Sequence, residues 1–132
     1  MYMLDTNICI FAINHRSARV VEHITEHPFG DICISAITYA ELRTGAEKSM
    51  AKERSMQALM MFLSAIKIVP FDASAAEEYG RIRAQLERQG TPIGPLDTLI
   101  ASQAKSMHAV IVTNNVREFE RVAGLEWEDW TK

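Results

Sequence analysis

The sequence contains few of the residues that build disulfide frameworks or zinc sites. It has two cysteines in 132 residues, and Cys9 and Cys33 lie far apart, each among apolar neighbours. This spacing favours two reduced thiols in the core. None of the four histidines has metal-ligand spacing, and we expect all of them on the surface or in loops: His15, His23, His27 and His108.

Long apolar runs and an excess of positive charge are also absent. No run reaches the roughly 18 residues of a membrane span. Asp5 interrupts the apolar N-terminal segment, so no signal-peptide core is present. We therefore expect a cytoplasmic protein without membrane contact. The net charge of −3 predicts no generally basic surface, so any contact with nucleic acid requires a local patch.

What the chain does have is an alternation of short apolar segments with amphipathic ones. Its length and its 48% apolar content suit one domain over residues 1–132. We predict strands ending at Asp5 and covering residues 32–34, 66–70, 109–112 and 125–127, the last at an edge. We predict helices after Asp5, within 14–30, and over 35–48, 51–64, 73–89, 96–107 and 115–122. This alternation predicts a mostly parallel sheet covered on both faces.

Four polar residues fall where strand ends and helix starts should meet. Each has a structural explanation. Asp5 and Asn115 could cap helices, and Glu41 could close a capping box that begins at Thr38. Asp97, in the first turn of a helix, complements the helix dipole.

The three acids together favour a bound cation. Asp5, Glu41 and Asp97 all have apolar neighbours. At separations of about 5 Å, each pair would repel by roughly 3 kcal/mol at an effective dielectric of about 20. Such a cluster must hold protons or bind a cation. Oxygen ligands without Cys or His favour Mg²⁺ or Mn²⁺, which take further ligands from water and phosphate. The chemistry indicated is metal-assisted hydrolysis of a phosphodiester.

At these residues the chain resembles the PIN-domain family and, within it, the VapC-type toxin ribonucleases. Four segments carry the resemblance in the family's order: 4–7 (LDTN), 37–42 (ITYAEL) with Gly45, 92–101 (PIGPLDTLIA) and 112–119 (VTNNVREF). The resemblance implies a three-layer α/β/α sandwich with a parallel sheet. It also implies an Mg²⁺-dependent endoribonuclease, with Mn²⁺ as a substitute and transfer RNA as the favoured target. Such a toxin inhibits translation and growth until a VapB-type antitoxin binds it. Homodimers and larger toxin–antitoxin assemblies are common in the family.

Carried over by motif, the acids receive separate roles. The resemblance makes Asp5 and Asp97 the metal ligands and Glu41 the third acid, acting directly or through water. Asn115 stands where the wider family often has Asp, which leaves one metal or two open. Whether Glu118 compensates is left open as well.

Polar and basic neighbours complete the expected site. The resemblance gives Thr6 and Asn7 the orientation of ligands or of the scissile phosphate. Arg43, Arg83 and Arg117 are candidates for RNA phosphates, although the pattern favours solvated helix faces paired with acids for at least half of the basic residues near these motifs. Met50, Met56, Met60 and Met61 cluster on one helix, where core packing is the first interpretation and an adaptable groove for an antitoxin helix the second.

Other functions remain in competition. A flap-type DNA nuclease shares the site chemistry, and the 2′-OH would separate the two substrates. A non-catalytic α/β interaction module, with acids that only cap helices, predicts no metal affinity. A response-regulator receiver is disfavoured because no acid precedes Asp5 and no Lys follows Thr113. A haloacid-dehalogenase-type phosphatase lacks its second Asp, since Asn7 occupies that position.

Overall fold

A five-stranded parallel sheet forms the centre of the computed structural model, which describes all residues from 1 to 132. The strands are β1 (Tyr2–Leu4), β2 (Ile32–Ser35), β3 (Lys67–Val69), β4 (Val110–Val112) and β5 (Trp127–Glu128), in the order β3-β2-β1-β4-β5. All four neighbouring pairs are parallel. The chain builds outward from β1 to β3 and then crosses to the other side of β1. The reversal lies between β1 and β4, and open α/β sheets place their sites in the crevice beyond this point.

Seven helices cover the sheet: α1 (Thr6–Ile13), α2 (Ala18–Glu26), α3 (Ala36–Glu47), α4 (Lys52–Leu63), α5 (Ala73–Gln89), α6 (Pro95–Ser106) and α7 (Val116–Phe119). One core joins α1–α4 to one face of the sheet, and the other joins α5–α7 to the opposite face. Consecutive strand residues point to opposite faces, so Leu4 belongs to the first core and Met3 to the second. The predicted three-layer α/β/α sandwich is confirmed.

Local sequence signals account for most helix ends. The side chain of Asp72 accepts a hydrogen bond from the Ala75 amide (3.0 Å) and caps α5. Gly90 ends that helix in the left-handed conformation (φ +71°), which glycine adopts without a steric penalty. Pro95 occupies the first turn of α6, where its missing amide hydrogen costs nothing. These signals place α5, its exit and α6 close to the predicted bounds.

Two predicted elements have different bounds. The edge strand lies at Trp127–Glu128 instead of 125–127, because its pairing with Ile111 and Val112 sets the register. The helix predicted for 115–122 is regular only over Val116–Phe119.

Two predictions about side-chain surroundings were wrong. Met50, Met60 and Met61 are exposed, so core packing holds only for Met56, which packs partly against the first core. Two histidines are not simple surface or loop residues. His23 and His27 stack on the ring of Trp130, which is buried, at centroid distances of 4.7 and 5.1 Å. They secure the C-terminal segment to α2.

Cys9 and Cys33 are buried free thiols, as predicted. None of the helices is both long enough and apolar enough to cross a lipid bilayer.

Candidate active site

The site begins where β1 and β4 end side by side. Leu4 pairs with Val112 in parallel register, so the next residues, Asp5 and Thr113, emerge together at the carboxyl edge of the sheet. The Asp5 amide donates to the carbonyl oxygen of Val112 (3.0 Å), and the Thr113 hydroxyl donates to Oδ2 of Asp5. Asp5 therefore occupies the switch point of the sheet.

Asp5 is a buried carboxylate, and its hydrogen bonds offset only part of the cost of burying its charge. Its Oδ1 accepts from the Ile8 amide (2.9 Å), so it does cap α1. Burial raises the pKa of Asp5, and the nearby charges of Glu41 and Asp129 raise it further, while the bonds from Thr113 and Ile8 oppose this. Capping alone explains one carboxylate oxygen but leaves the acidic surroundings unexplained.

Glu41 faces α1 and closes no capping box. Ser35 caps α3 through the Ile37 amide (3.0 Å), so Thr38 lies inside the helix instead of at its start. One carboxylate oxygen of Glu41 accepts from the Thr6 hydroxyl (2.6 Å), which itself lies 3.5 Å from the Thr38 hydroxyl. Thr6 thereby fixes Glu41 close to the residue that follows β1.

Asp97 enters from α6, on the other layer of the sandwich. It lies in the first turn of that helix and is partly buried. Its carboxylate also lies beside Asn115 and Glu118. The side-chain amide nitrogen of Asn115, Nδ2, donates to Oδ2 of Asp97 (3.3 Å) and to Oε2 of Glu118 (3.0 Å). Asn115 makes no side-chain capping bond to α7, so the capping interpretation of this residue was wrong.

Burial and the neighbouring acids raise the proton affinity of Asp97. Burial, a hydrogen bond with Glu118 and the charges of Glu118, Asp5 and Glu41 raise the pKa of Asp97 to about 7. The bond from Asp97 lowers the pKa of Glu118, which also accepts from the Gly94 amide. Glu118, Asp5 and Glu41 thus lie close enough to Asp97 for their charges to favour its protonated form.

The donor set fits a hard divalent cation by its chemistry. It consists of carboxylate and amide oxygens with neither sulfur nor imidazole, which suits Mg²⁺ or Mn²⁺. Burial is the main cause of the raised pKa values of Asp5 and Asp97, and the charges of neighbouring acids add to it; a bound cation would stabilise both carboxylates in their charged form. In the present side-chain positions no three His, Cys, Asp or Glu residues are arranged to hold a metal together. Asp97 and Glu118 are linked there through the side-chain amide of Asn115.

The remaining predicted residues lie at varying distance from the acids. Asn7 is exposed in the first turn of α1, and Arg117 is exposed on α7 beside Glu118. Arg43 and Arg83 are exposed on α3 and α5, and each bonds a tyrosine four residues before it and a glutamate four residues after it. Contact of Arg43, Arg83 and Arg117 with RNA stays a prediction.

The sequence did not predict the roles of two residues in this site. Thr113 holds Asp5, and the only sequence signal was that both residues directly follow strands. The role of Glu118 was left open; in the structure it shares the side-chain amide of Asn115 with Asp97 and raises the pKa of Asp97. The signal was its spacing of three residues from Asn115, which places both on one turn of a helix.

Comparison with known proteins shows which family this chain belongs to. The PIN-domain model matches residues 2–125. The tRNA(fMet)-specific endonuclease VapC of Shigella flexneri is 51% identical over 130 residues, covering 98% of each chain. The protein of the same description from Salmonella typhimurium is 46% identical over 129 residues, covering 98% of this chain and 97% of the relative. The chain belongs to the PIN-domain family.

Solved structures agree with this assignment. VapBC2 from Rickettsia felis, bound to a DNA fragment from its promoter, superimposes with a TM-score of 0.92 at 42% identity over 98% of both chains. DNA-bound VapBC from Salmonella typhimurium also gives 0.92, at 46% identity, over 98% of this chain and 97% of that one. Within the PIN family the resemblance to VapC proteins is therefore confirmed over nearly the whole chain.

Proposed function

We propose that this chain is a metal-dependent endoribonuclease toxin that hydrolyses RNA and is held inactive by an antitoxin. One observation carries the proposal: at the switch point of the sheet, Asp5, Glu41 and Asp97 lie near enough for the charges of Asp5 and Glu41 to raise the pKa of Asp97 and for the charge of Glu41 to raise the pKa of Asp5. The two relatives described as tRNA(fMet)-specific endonucleases align over almost their full length. They support transfer RNA as the substrate class, with loss of translation and growth as the consequence.

Asp5 and Asp97 are the residues that would hold Mg²⁺. When bound, the ion polarises a phosphate oxygen and lowers the pKa of a water ligand. The bond from Thr113 keeps one Asp5 oxygen in place, and Thr6 keeps Glu41 turned toward the acids, where it can position metal or water. Asn115 and Glu118 orient Asp97 from the opposite side.

Proton and cation compete for Asp97. Since the pKa of Asp97 is raised to about 7, the metal-free site retains a proton there near neutral pH. A cation bound between the acids would replace this proton, so binding should release it and should strengthen as pH rises.

A groove on the first helical layer is the proposed place for the antitoxin. It has a volume of about 360 Å³ and runs between α1, α3 and α4, from Glu41 to Arg54, with apolar walls that include Ile10, Ile13 and Leu59. Met60 and Met61 are also exposed on α4, but they line a separate hollow with Met56 and Gln57. The related structures are toxin–antitoxin complexes, and an apolar groove between helices suits a helix or extended segment of a partner.

Cleavage of a defined RNA tests the enzymatic part. We expect the purified chain, freed of antitoxin, to cut a tRNA(fMet) transcript with Mg²⁺ but not with EDTA. Asp5→Asn should abolish cutting, whereas Glu120→Gln, at an exposed acid beyond α7, should preserve it. A DNA copy of the substrate cut equally well would favour the flap-type nuclease. Absence of both cleavage and metal binding by the wild-type chain would favour the interaction module.

The antitoxin groove has its own test. Gly45 lines the groove, and a Cβ at this position meets nothing within 4 Å, so Gly45→Leu should fill the groove without disturbing α3. We expect binding of the antitoxin encoded beside this chain to weaken about 10-fold or more, with cleavage retained. Gly45→Ala, which adds little volume, should bind nearly normally. Equal affinity in all three proteins would contradict this location.

A further inference from the structure

A second groove borders the acidic site on its other side. It has a volume of about 230 Å³ and lies between α5 and the 91–95 connection. Pro92 and Ile93 form an apolar wall, and Tyr79 and Arg83 stand on the opposite side. Pro95 and Thr98 also line it, and Asp97 lies between them in the same helical turn. Gly94, between Ile93 and Pro95, donates its backbone amide to Glu118 of the acidic site (3.2 Å), so the 91–95 connection touches the groove and the acidic site.

The polar side of the groove is held in a defined arrangement. Arg83 donates from Nη1 to the Tyr79 hydroxyl (2.9 Å) and from Nε to Glu87 (3.1 Å), and its guanidinium lies 5.9 Å from the centre of the Tyr79 ring. These contacts leave further N–H groups of Arg83 free, and its side chain is 59% exposed. A planar guanidinium of this kind is suited to a phosphate.

We propose that this groove is a nucleotide subsite, in which Arg83 binds an RNA phosphate and the adjacent base lies between Tyr79 and the wall of Pro92 and Ile93. The inference rests on the proposed ribonuclease function. The groove is smaller than the roughly 300–1,000 Å³ of pockets for drug-sized ligands, so it suits one base. Stacking of bases on aromatic side chains is a usual way to hold unpaired RNA.

Glu87 competes with the phosphate for Arg83. Both partners are more than half exposed (59% and 53%), and such surface pairs contribute little. An incoming phosphate can therefore displace Glu87. This competition gives the subsite a distinctive signature, because loss of Glu87 should strengthen RNA binding whereas loss of Arg83 should weaken it.

Binding in EDTA tests the subsite without cleavage. Fluorescence anisotropy with a labelled tRNA(fMet) transcript should show Arg83→Gln binding about 10-fold more weakly and Glu87→Gln about threefold more tightly. Arg83→Gln should also reduce the salt slope by roughly one phosphate contact. Arg81→Gln is the matched control, because Arg81 pairs with Glu78 on the same helix and does not line the groove. Its affinity should equal that of the wild type.

Substitutions of Tyr79 test the second part of the proposal, the stacking of a base in the groove. Tyr79→Phe keeps the ring and should retain most of the affinity, while Tyr79→Leu should lose roughly 5- to 50-fold. Equal affinity for the Phe and Leu variants would overturn base stacking. A changed oligomeric state of Arg83→Gln in analytical ultracentrifugation would overturn the subsite in favour of a contact between copies of the chain.

Cleavage with Mg²⁺ separates this inference from the proposed function. We expect Arg83→Gln to raise KM and to change kcat little. If the wild type cuts RNA and Arg83→Gln has the same KM and the same affinity, the subsite is wrong while the ribonuclease function stands. If the wild type cuts no RNA, the function fails, and the subsite fails with it.

Discussion

The hydroxyl of Thr113 donates a hydrogen bond to Asp5, 108 residues earlier in the chain. The bond exists because β1 and β4 pair in parallel register and end together. The same Thr113 hydroxyl oxygen accepts a hydrogen bond from the backbone amide of Asn115 (2.8 Å). One hydroxyl thus ties the first acid of the site to the loop that carries Asn115, between the two helical layers.

Thr113→Val should therefore weaken both the fold and the site. It leaves Oδ2 of Asp5 and the backbone amide of Asn115 without these bonds, and we expect a loss of about 1–3 kcal/mol in the free energy of unfolding. The pKa of Asp5 should rise further, because the Thr113 bond currently lowers it. Urea unfolding and Mg²⁺ titration measure these two effects. Thr113→Ser keeps the hydroxyl and should behave nearly as the wild type, and a defect as large as that of Val would contradict the role of the bond.

Asp97→Asn should stabilise the metal-free protein while abolishing cleavage. The folded pKa of Asp97 is raised to about 7, above the roughly 3.9 of an unfolded aspartate. The folded state therefore binds the proton more tightly, and the wild type loses stability as pH rises from about 4 to 7. The Asn variant avoids this loss. After allowance for partial exposure, we expect a gain of about 1–2 kcal/mol at pH 8 and almost none at pH 4.

Unfolding in EDTA at several pH values checks the sign of that effect. Glu120→Gln serves as the control, because an exposed acid should give no gain that grows with pH. A clear destabilisation of Asp97→Asn at pH 8 would mean that Asp97 acts mainly as a structural residue of the first turn of α6.

Glu118→Gln tests whether Glu118 only raises the pKa of Asp97 or also binds the metal directly. The bond and the charge of Glu118 raise the pKa of Asp97, so removing the charge should lower it. The acid limb of kcat/KM against pH should then move to lower pH by roughly 0.5–1. If cleavage instead falls by a similar large factor at every pH and more Mg²⁺ restores it, Glu118 is a direct ligand and the modulating role is refuted.

Gln103→Leu should affect the fold but not the chemistry. Gln103 is buried in α6, and its amide donates to the carbonyl oxygens of Val69 (3.1 Å) and Pro70 (2.9 Å). Losing both bonds should cost about 1–3 kcal/mol of stability. Cleavage per folded molecule, measured well below the melting temperature, should remain unchanged. A selective loss of cleavage would place Gln103 in the site, against this expectation.

The sequence predicted the layers well because buried strands and capped helices leave local signals. The apolar segments gave the positions of β1, β2, β3 and β4 to within a residue or two. The edge strand β5 was displaced, since two exposed residues carry little periodicity and their register comes from β4.

The site was predictable in its acids but not in their partners. Asp5, Glu41 and Asp97 stood out because charge among apolar residues is costly. The bonds from Thr113 to Asp5 and from Thr6 to Glu41 depend on strand register and helix rotation, which local sequence does not encode. Exposure of Met60 and Met61 likewise depends on what α4 packs against. The metal and the substrate remain predictions.

The central position of β1 has a consequence for synthesis. A ribosome makes this strand first, yet its neighbour β4 and the edge strand β5 come last. Until these segments emerge, Asp5 lacks Thr113, and Asp97 lacks Asn115 and Glu118. The nascent chain therefore cannot assemble its acidic centre until β4 and the segment that carries Thr113, Asn115 and Glu118 have been made. Fragments that end before β4 should therefore lack an assembled acidic centre.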